Sequence, residues 1–241
     1  MKSTAIILSA GQGKRMQTEK AKQYLLINGK PMLYYSLKAF ADSAHINNII
    51  IVINETDYDY VKNEIIDKYQ IAKITDIVVG GKERYHSVYN GINADGASDS
   101  DFIFIHDGAR PLINEDIISR AAEEVRSHPA IVVGMPVKDT IKRIDEANLV
   151  GETPDRRMLW AVQTPQVFAA SLIREGYQEL MTQESVRIVT DDAMVVETFT
   201  KTKVKLILGS YQNIKVTTRE DLKIAEVLLL SYSNEGFPAK S

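Results

Sequence analysis

Ser9-Ala10-Gly11-Gln12-Gly13-Lys14-Arg15-Met16, followed by Lys20-Ala21-Lys22-Gln23, joins two glycines to a run of cations. Lacking a Cβ, glycines let backbone N–H groups approach anionic oxygens closely. Arg15 and Lys22 can neutralise a polyphosphate. The run is not a Walker A loop, because no glycine stands five residues before Gly13 and Arg15 takes the Ser/Thr place. It is not the dinucleotide fingerprint either: Met16 stands where the third glycine belongs, which disfavours an NAD-dependent oxidoreductase. Taken alone, such a pair of glycines is a turn with solvated cations. Its place after an apolar strand, with a basic cluster attached, points to a phosphate loop.

Three further clusters carry possible chemistry. In Gly80-Gly81-Lys82-Glu83-Arg84-Tyr85-His86-Ser87, the glycines allow close backbone approach to a flat base, and Ser87 can hydrogen-bond a base edge. The plain alternative is an ordinary strand–helix turn. In His106-Asp107-Gly108-Ala109-Arg110-Pro111, Asp107 is a candidate metal ligand or hydroxyl acceptor, or one half of a structural ion pair with Arg110. The fourth cluster is split in sequence: Asp139-Thr140, Asp155-Arg156-Arg157, Gln163-Thr164-Pro165-Gln166 and Lys215. Thr, Arg and Lys are suitable donors to a phosphate monoester. Arg157 and Lys142 read as a solvated face. Tyr34, Tyr35 and Trp160 read as core, and the four histidines have no metal-ligand spacing. No G-x-S-x-G elbow is present, so serine hydrolase chemistry is disfavoured.

These clusters follow the ends of predicted strands. Thr4–Leu8, Asn48–Ile53, Ile74–Val79, Asp101–Ile105 and Ile131–Val133 are short, β-branched apolar runs that read as buried strands. Helices are predicted over Pro31–Ala41, Tyr58–Tyr69, Tyr85–Ala94 and Asn114–Ser127, with Asn114 as N-cap. Strand–helix alternation predicts a mostly parallel sheet covered by helices on both faces, with ligands outside the carboxyl ends of the strands. Residues 137–160 break the pattern. They hold two short alternating segments around Glu146–Asn148, which predict a β-hairpin arm. A short strand near Ala161–Gln163, helices over Ala169–Leu180 and from Asp191, a strand Val204–Leu208 and a helix Arg219–Leu230 complete the chain. The reading is one domain over residues 1–231, an arm insertion at 137–160 and a frayed tail at 232–241.

Bulk properties narrow the class. The chain has 241 residues, 44% hydrophobic and 25% charged, within the range of a single globular α/β domain. A net charge of −3 gives no broad field to attract nucleic acid. The absence of cysteine excludes disulfides, thiolate metal sites and cysteine nucleophiles, and fits the cytoplasm. No run approaches the ~18 apolar residues of a membrane helix.

In order along the chain, SAGQGKRM, KQYL, GGKERYHSV, HDGARP, PVKDTIKR, LWAVQTPQVF, TDDA and NIKVTT resemble the 2-C-methyl-D-erythritol 4-phosphate cytidylyltransferase family, over approximately residues 4–230. The resemblance implies a Rossmann-like nucleotidyltransferase fold with a protruding β-arm that interlocks two copies in a homodimer. It implies transfer of CMP from CTP to the polyol phosphate, with Mg²⁺ or another divalent cation bridging triphosphate oxygens. CTP would lie across Ala10, Gly11, Gly13, Arg15 and Lys22, with its base near Gly81, Lys82 and Ser87. Asp107, Arg110, Thr164 and Lys215 would face the polyol phosphate, with Thr140 and Arg156 arriving from the other subunit. Arg15, Lys22, Arg156 and Lys215 would be the catalytic cations. Two residues depart from the family: Lys82 stands where many relatives carry Asp, and Ser9 replaces a common Ala. Ribitol-5-phosphate cytidylyltransferase, on the same scaffold, and a non-catalytic nucleotide-sensing module are the alternative readings.

Overall fold

The computed structural model describes residues 1–11, 21–183 and 189–235. Gly13, Arg15, Met16 and the tail after residue 235 lie outside the described residues. The predicted strands appear as β1 (Ser3–Leu8), β4 (Asn48–Ile53), β5 (Ile74–Val79), β6 (Phe102–Asp107), β7 (Ala130–Pro136), β10 (Trp160–Ala169) and β11 (Lys205–Leu208). They form one sheet in the order β11-β7-β10-β6-β1-β4-β5. β5, β4, β1 and β6 are mutually parallel, and β10 runs antiparallel to both β6 and β7.

Strand alternation builds two cores. From β1, Ala5 and Ile7 enter one face, and Ile6 enters the other. Ile49 and Ile51 of β4 side with the first, Ile50 and Val52 with the second. Helices α1 (Met32–Asp42) and α4 (Glu115–Glu124) cover the first face with Leu33, Leu37, Phe40, Ile117 and Ala121. Helices α3 (Arg84–Ile92), α5 (Ala170–Met181) and α6 (Asp192–Phe199) cover the second with Val88, Ile92, Ile173, Tyr177 and Val196. Because β1 and β4 have both faces covered, their sequences are continuously apolar, as buried parallel strands require. Removing a buried ring such as Phe104 costs about 3–5 kcal/mol.

Asn114 caps α4, its Oδ1 accepting from Ile117 N–H at 3.1 Å. A small hairpin, β2 (Leu26–Ile27) with β3 (Lys30–Pro31), precedes α1. The stretch predicted as one helix over Tyr58–Tyr69 is instead a short α-helical turn, α2 (Tyr58–Tyr60), continuing as a π-helix over Val61–Asp67. The C-terminal helix α7 (Arg219–Glu235) runs past the predicted end at Leu230 into part of the predicted tail. Tyr34, Tyr35 and Trp160 are half-buried rather than core. The two tyrosines lie edge to face against each other, 5.2 Å apart, at the rim of α1. β10 is far longer than the predicted Ala161–Gln163, for a reason given below.

The arm leaves at the end of β7 and returns at the start of β10. It contains one short antiparallel pair, β8 (Arg143–Ile144) with β9 (Val150–Glu152). From residue 138 to 158 every residue is exposed except half-buried Pro154.

Candidate active site

β1 has β4 on one side and β6 on the other, so successive connections leave it in opposite directions. Crevices that bind ligands open at such a point, outside the strand carboxyl ends. Three loops meet there, each pinned by one more ladder-like bond: Ser9 N–H donates to Val52 O at 2.7 Å, Gly80 N–H to Ile53 O at 2.7 Å, and Gly108 N–H to Leu8 O at 2.9 Å.

The loop after β1 and the loop after β5 touch. A Cβ placed on Gly80 would lie 2.5 Å from the Ala10 Cβ and 2.8 Å from Ser87 Oγ, so only glycine allows this approach. Gly81 N–H donates to Ser87 Oγ at 3.1 Å. Ser87 therefore shapes the loop, with its own hydroxyl proton left to donate. Glu83 caps α3, and its N–H is received by His86 Nδ1 at 3.2 Å. Lys22 opens a 3₁₀ turn (Lys22–Tyr24), where Gln23 Nε2 donates to Ser9 O at 2.6 Å and Lys22 Nζ to Val216 O at 3.2 Å. Ala10, Gly11, Lys22, Gly81, Lys82 and Ser87 line one cavity of about 670 Å³.

A second cavity, of about 410 Å³, is lined by Arg110, Trp160, Thr164 and Gln166 among others. Arg84, Asp107 and Lys215 line both cavities and stand where they meet. Asp107, on the last residue of β6, faces three cations: Lys215 Nζ at 2.7 Å, Arg84 Nε at 3.7 Å and Arg110 Nε at 3.9 Å. Both readings of Asp107 as an ion-pair partner and as a site residue thus merge in one cluster. Burial alone would raise the Asp107 carboxyl. The charges of Arg84, Lys215 and Arg110 together outweigh it and hold the group well below the usual carboxylate range. Arg110 Nε is buried with no hydrogen-bond acceptor among the described residues. A buried guanidinium N–H in that condition is suited to an anionic oxygen.

Below the cluster lies a hydrogen-bonded polar layer, in which Asn213 Oδ1 alone has no partner among the described residues. His106 is fully buried, and burial lowers its pKa to about 3, so it is neutral. Its Nε2 lies 3.3 Å from Arg110 O, which can only accept, so the proton is on Nε2. Nδ1 must then accept from Thr164 Oγ1 at 3.0 Å, and Thr164 Oγ1 accepts from Asp107 N–H at 3.1 Å. Thr164 thus spends its proton on positioning His106 and Asp107. Asn213, also fully buried, donates to Thr164 O at 2.9 Å, while its own carbonyl accepts from Arg110 Nη1 at 2.8 Å. The buried part of β10, Gln163–Phe168, alternates polar Gln163, Thr164 and Gln166 with Pro165 before reaching Val167 and Phe168, so an apolar pattern does not register its length.

Arg84 is the main residue that sequence reasoning missed. It forms a two-pronged pair with buried Asp192 at 2.8 and 2.7 Å, and Tyr177 Oη donates to Asp192 at 2.6 Å. Asp191 is the N-cap of α6, its Oδ1 accepting from Met194 N–H at 3.0 Å. An acidic doublet at a helix start needs only one residue as cap, and the second was the available signal for a buried cation partner. Thr140 and Arg156 line neither cavity. They sit on the exposed arm, where Arg156 Nη1 donates to Lys138 O at 2.8 Å.

The chain and its fold have counterparts. A sequence model of the 2-C-methyl-D-erythritol 4-phosphate cytidylyltransferase family matches residues 3–231. The enzyme of that description from Lachnospira eligens is 49% identical over 227 residues, covering 94% of this chain and 99% of its own. That from Lachnoclostridium phytofermentans is 46% identical, covering 97% and 98%. Among solved structures, the 4-diphosphocytidyl-2C-methyl-D-erythritol synthase of Anaerococcus prevotii superposes with a TM-score of 0.82 at 33% identity, covering 95% of this chain and 96% of that one. The Francisella tularensis 2-C-methyl-D-erythritol 4-phosphate cytidylyltransferase gives 0.79 at 30% identity, covering 94% and 99%. The chain therefore belongs to the 2-C-methyl-D-erythritol 4-phosphate cytidylyltransferase family, and it is an enzyme of cytidylyl transfer.

Proposed function

We propose that the larger cavity takes CTP, the smaller takes 2-C-methyl-D-erythritol 4-phosphate, and the reaction occurs where they meet. The observation that carries this reading is the shared wall of Arg84, Asp107 and Lys215. Five cations, Lys22, Lys82, Arg84, Arg110 and Lys215, line the two cavities against the carboxylates Glu83, Asp107 and Asp191, with Asp192 buried behind Arg84, a positive wall suited to polyanions.

The nucleophile is a phosphate monoester, dianionic near neutrality because its second pKa is ≈6. It needs no general base. One of its oxygens forms a bond to the α-phosphorus of CTP as the bond to the β-phosphate oxygen breaks, and pyrophosphate leaves. The protein positions the two anions and offsets their repulsion. Lys22 and Arg15 act on the triphosphate, with backbone of Ala10, Gly11 and Gly13. Gly81, Lys82 and Ser87 receive the base through backbone groups. Arg110 and Lys215 hold the polyol phosphate, while Asp107 and Thr164 place them. A divalent cation such as Mg²⁺ neutralises phosphate charge when bound. Asp107 has its oxygens turned to cations, and no group of three or more acidic or histidine side chains among the described residues is placed to hold a metal. Among the described residues the side chains thus form no ligand set, and such an ion would be held mainly by CTP phosphates.

The reading includes a homodimer. Leu149 and Met158 on the arm are 66% and 80% exposed, and the arm has no core of its own. Apolar residues on a projecting hairpin call for a partner surface. In the dimer, Thr140 and Arg156 of the partner subunit would complete each polyol-phosphate site. The reading places the reaction in the cytoplasm, with no nucleic-acid or membrane partner.

Pyrophosphate release tests it, measured for CTP, UTP and ATP against methylerythritol 4-phosphate and ribitol 5-phosphate. Turnover is expected for CTP with methylerythritol 4-phosphate. Preference for ribitol 5-phosphate, or no release with any pair, overturns it.

A further inference from the structure

The arm's direction has to be fixed where it leaves the sheet, because beyond that point the arm's bonds among the described residues stay within the arm. The last ladder contacts are Pro136 opposite Trp160 and Val137 N–H to Leu159 O at 3.0 Å. Tyr211 sits beside this root. Its hydroxyl donates to Pro136 O at 2.9 Å, on the last residue of β7. Its ring lies under the ammonium of Lys138, 3.5 Å from the ring centroid, well inside the range of a cation–π contact. Lys138 is the first exposed residue of the arm, and its carbonyl accepts from Arg156. One exposed ring therefore contacts both sides of the hinge, and Lys138 in turn bonds the returning 3₁₀ turn at Arg156.

The loop that carries Tyr211 does not move freely. Gly209 N–H donates to Gly134 O at 2.9 Å, Gln163 Nε2 donates to Ser210 O at 2.8 Å, and Asn213 is buried. Tyr211 itself is 44% exposed, so it adds little to the core. An exposed aromatic on a rigid loop, making two directed contacts at a hinge, is better placed to set geometry than to stabilise the fold.

We propose that Tyr211 is a positioning residue that latches the arm at its root, and that it thereby serves the polyol-phosphate site of the partner subunit rather than its own. This rests on the reading that the arm completes the partner's site. The alternative is a local effect through Lys215, which lies four residues further along the same loop.

Losing both contacts in Tyr211→Ala is expected to raise the KM for the polyol phosphate about tenfold, with the KM for CTP and the thermal midpoint unchanged. Tyr211→Phe keeps the ring and is expected to raise it about threefold or less. The decisive test refolds Tyr211→Ala together with Lys22→Ala in equal amounts, with mixed dimers confirmed by native mass spectrometry. Activity is read at polyol phosphate well below KM. If Tyr211 acts across the dimer, the Tyr211→Ala subunit of a mixed dimer receives a sound arm, and about a quarter of wild-type activity returns. If it acts on its own site, about a twentieth returns and the proposal fails. Unimpaired Tyr211→Ala also overturns it. The control pairs Lys22→Ala with Arg156→Ala. Recovery there but not with Tyr211→Ala sinks the latch alone, whereas no recovery in the control sinks the shared-site reading and the latch's action across the dimer with it.

Discussion

The charge cluster at the end of β6 and the arm between β7 and β10 are both rich in Arg, Lys and Asp, yet they are built on opposite terms. Asp107, Thr164, His106, Asn213 and Arg84 each have two or more partners within one chain. On the arm, among the described residues, Arg157 pairs locally with Asp155 and Lys142 with Thr153. Buried polar groups must be satisfied where they lie, so the cluster is held within one subunit, with Arg110 Nε and Asn213 Oδ1 left without a hydrogen-bond partner among the described residues. Exposed ones are satisfied by water, so the arm's side chains specify little until another surface meets them. The difference teaches where to look for missing parts: in the proposed reading, charge is neutralised within the subunit and substrate binding is completed by the partner.

Breaking the cluster should have the largest effect. Lys22→Ala, Arg15→Ala and Lys215→Ala are each expected to lower kcat on the order of a hundredfold, with a smaller change in CTP affinity, as for the loss of one charge-stabilising contact. Steady-state pyrophosphate release and CTP titration measure the two. A kcat within severalfold of wild type would remove that residue from the chemistry.

Breaking the arm should act through assembly. Leu149→Asp with Val150→Asp puts charge on two exposed apolar positions of the hairpin. Sedimentation should show monomers, and the KM for the polyol phosphate should rise about tenfold or more, while the fold keeps its thermal midpoint. A fully active dimer of this variant would mean that the arm does not hold the subunits together.

Acid sharpens the contrast further. His106 is held neutral, with a folded pKa of about 3 against 6.5 for the free group. Below pH 6.5 the unfolded chain takes up a proton that the folded chain refuses, so stability present above pH 6.5 is lost as pH falls toward 3. Between pH 7 and 5 this amounts to about 2 kcal/mol. Asp107, with a depressed carboxyl, adds a loss of the same sign below about pH 4. Urea midpoints at the two pH values should differ accordingly, and His106→Asn should flatten the dependence. An unchanged slope in that variant would show that His106 is not the group responsible.

The smallest effect is expected at Lys82→Ala. In the proposed reading the backbone at Gly81 and Lys82, which line the larger cavity, reads the base, so CTP selectivity should survive. Acceptance of UTP by the variant would show that the Lys82 side chain reads the base.

Much of the scaffold was legible because it follows from hydrophobic pattern. β1 and β4 are apolar runs bounded by turn residues, whereas β5, broken at Thr75-Asp76, is a half-exposed edge strand rather than the buried one predicted; the loops after β1 and β5 carried the glycines and charges that now line the larger cavity. What pattern could not give were contacts that join distant positions through polar groups. Arg84 reads as one more loop cation until Asp192, 108 residues on, is folded beside it. Thr164 reads as a substrate donor until His106 takes its proton. The half-buried Tyr34, Tyr35 and Trp160 read as core because an aromatic at an apolar position carries no mark of which edge faces water. The arm was legible as an excursion, but its anchor on Tyr211 depends on a loop more than seventy residues away.

The central claim is that each active site is shared between two subunits, and subunit mixing tests it most directly. Lys22→Ala disables the nucleotide side, Arg156→Ala disables the arm, and each protein alone should be nearly inactive. Refolded together in equal amounts, about half the dimers are mixed, and each mixed dimer collects both lesions in one site and leaves the other intact. With independent sites, about a quarter of wild-type activity should return. If native mass spectrometry shows mixed dimers and activity does not rise above that of the separate variants, Arg156 serves its own subunit and the shared-site account is wrong.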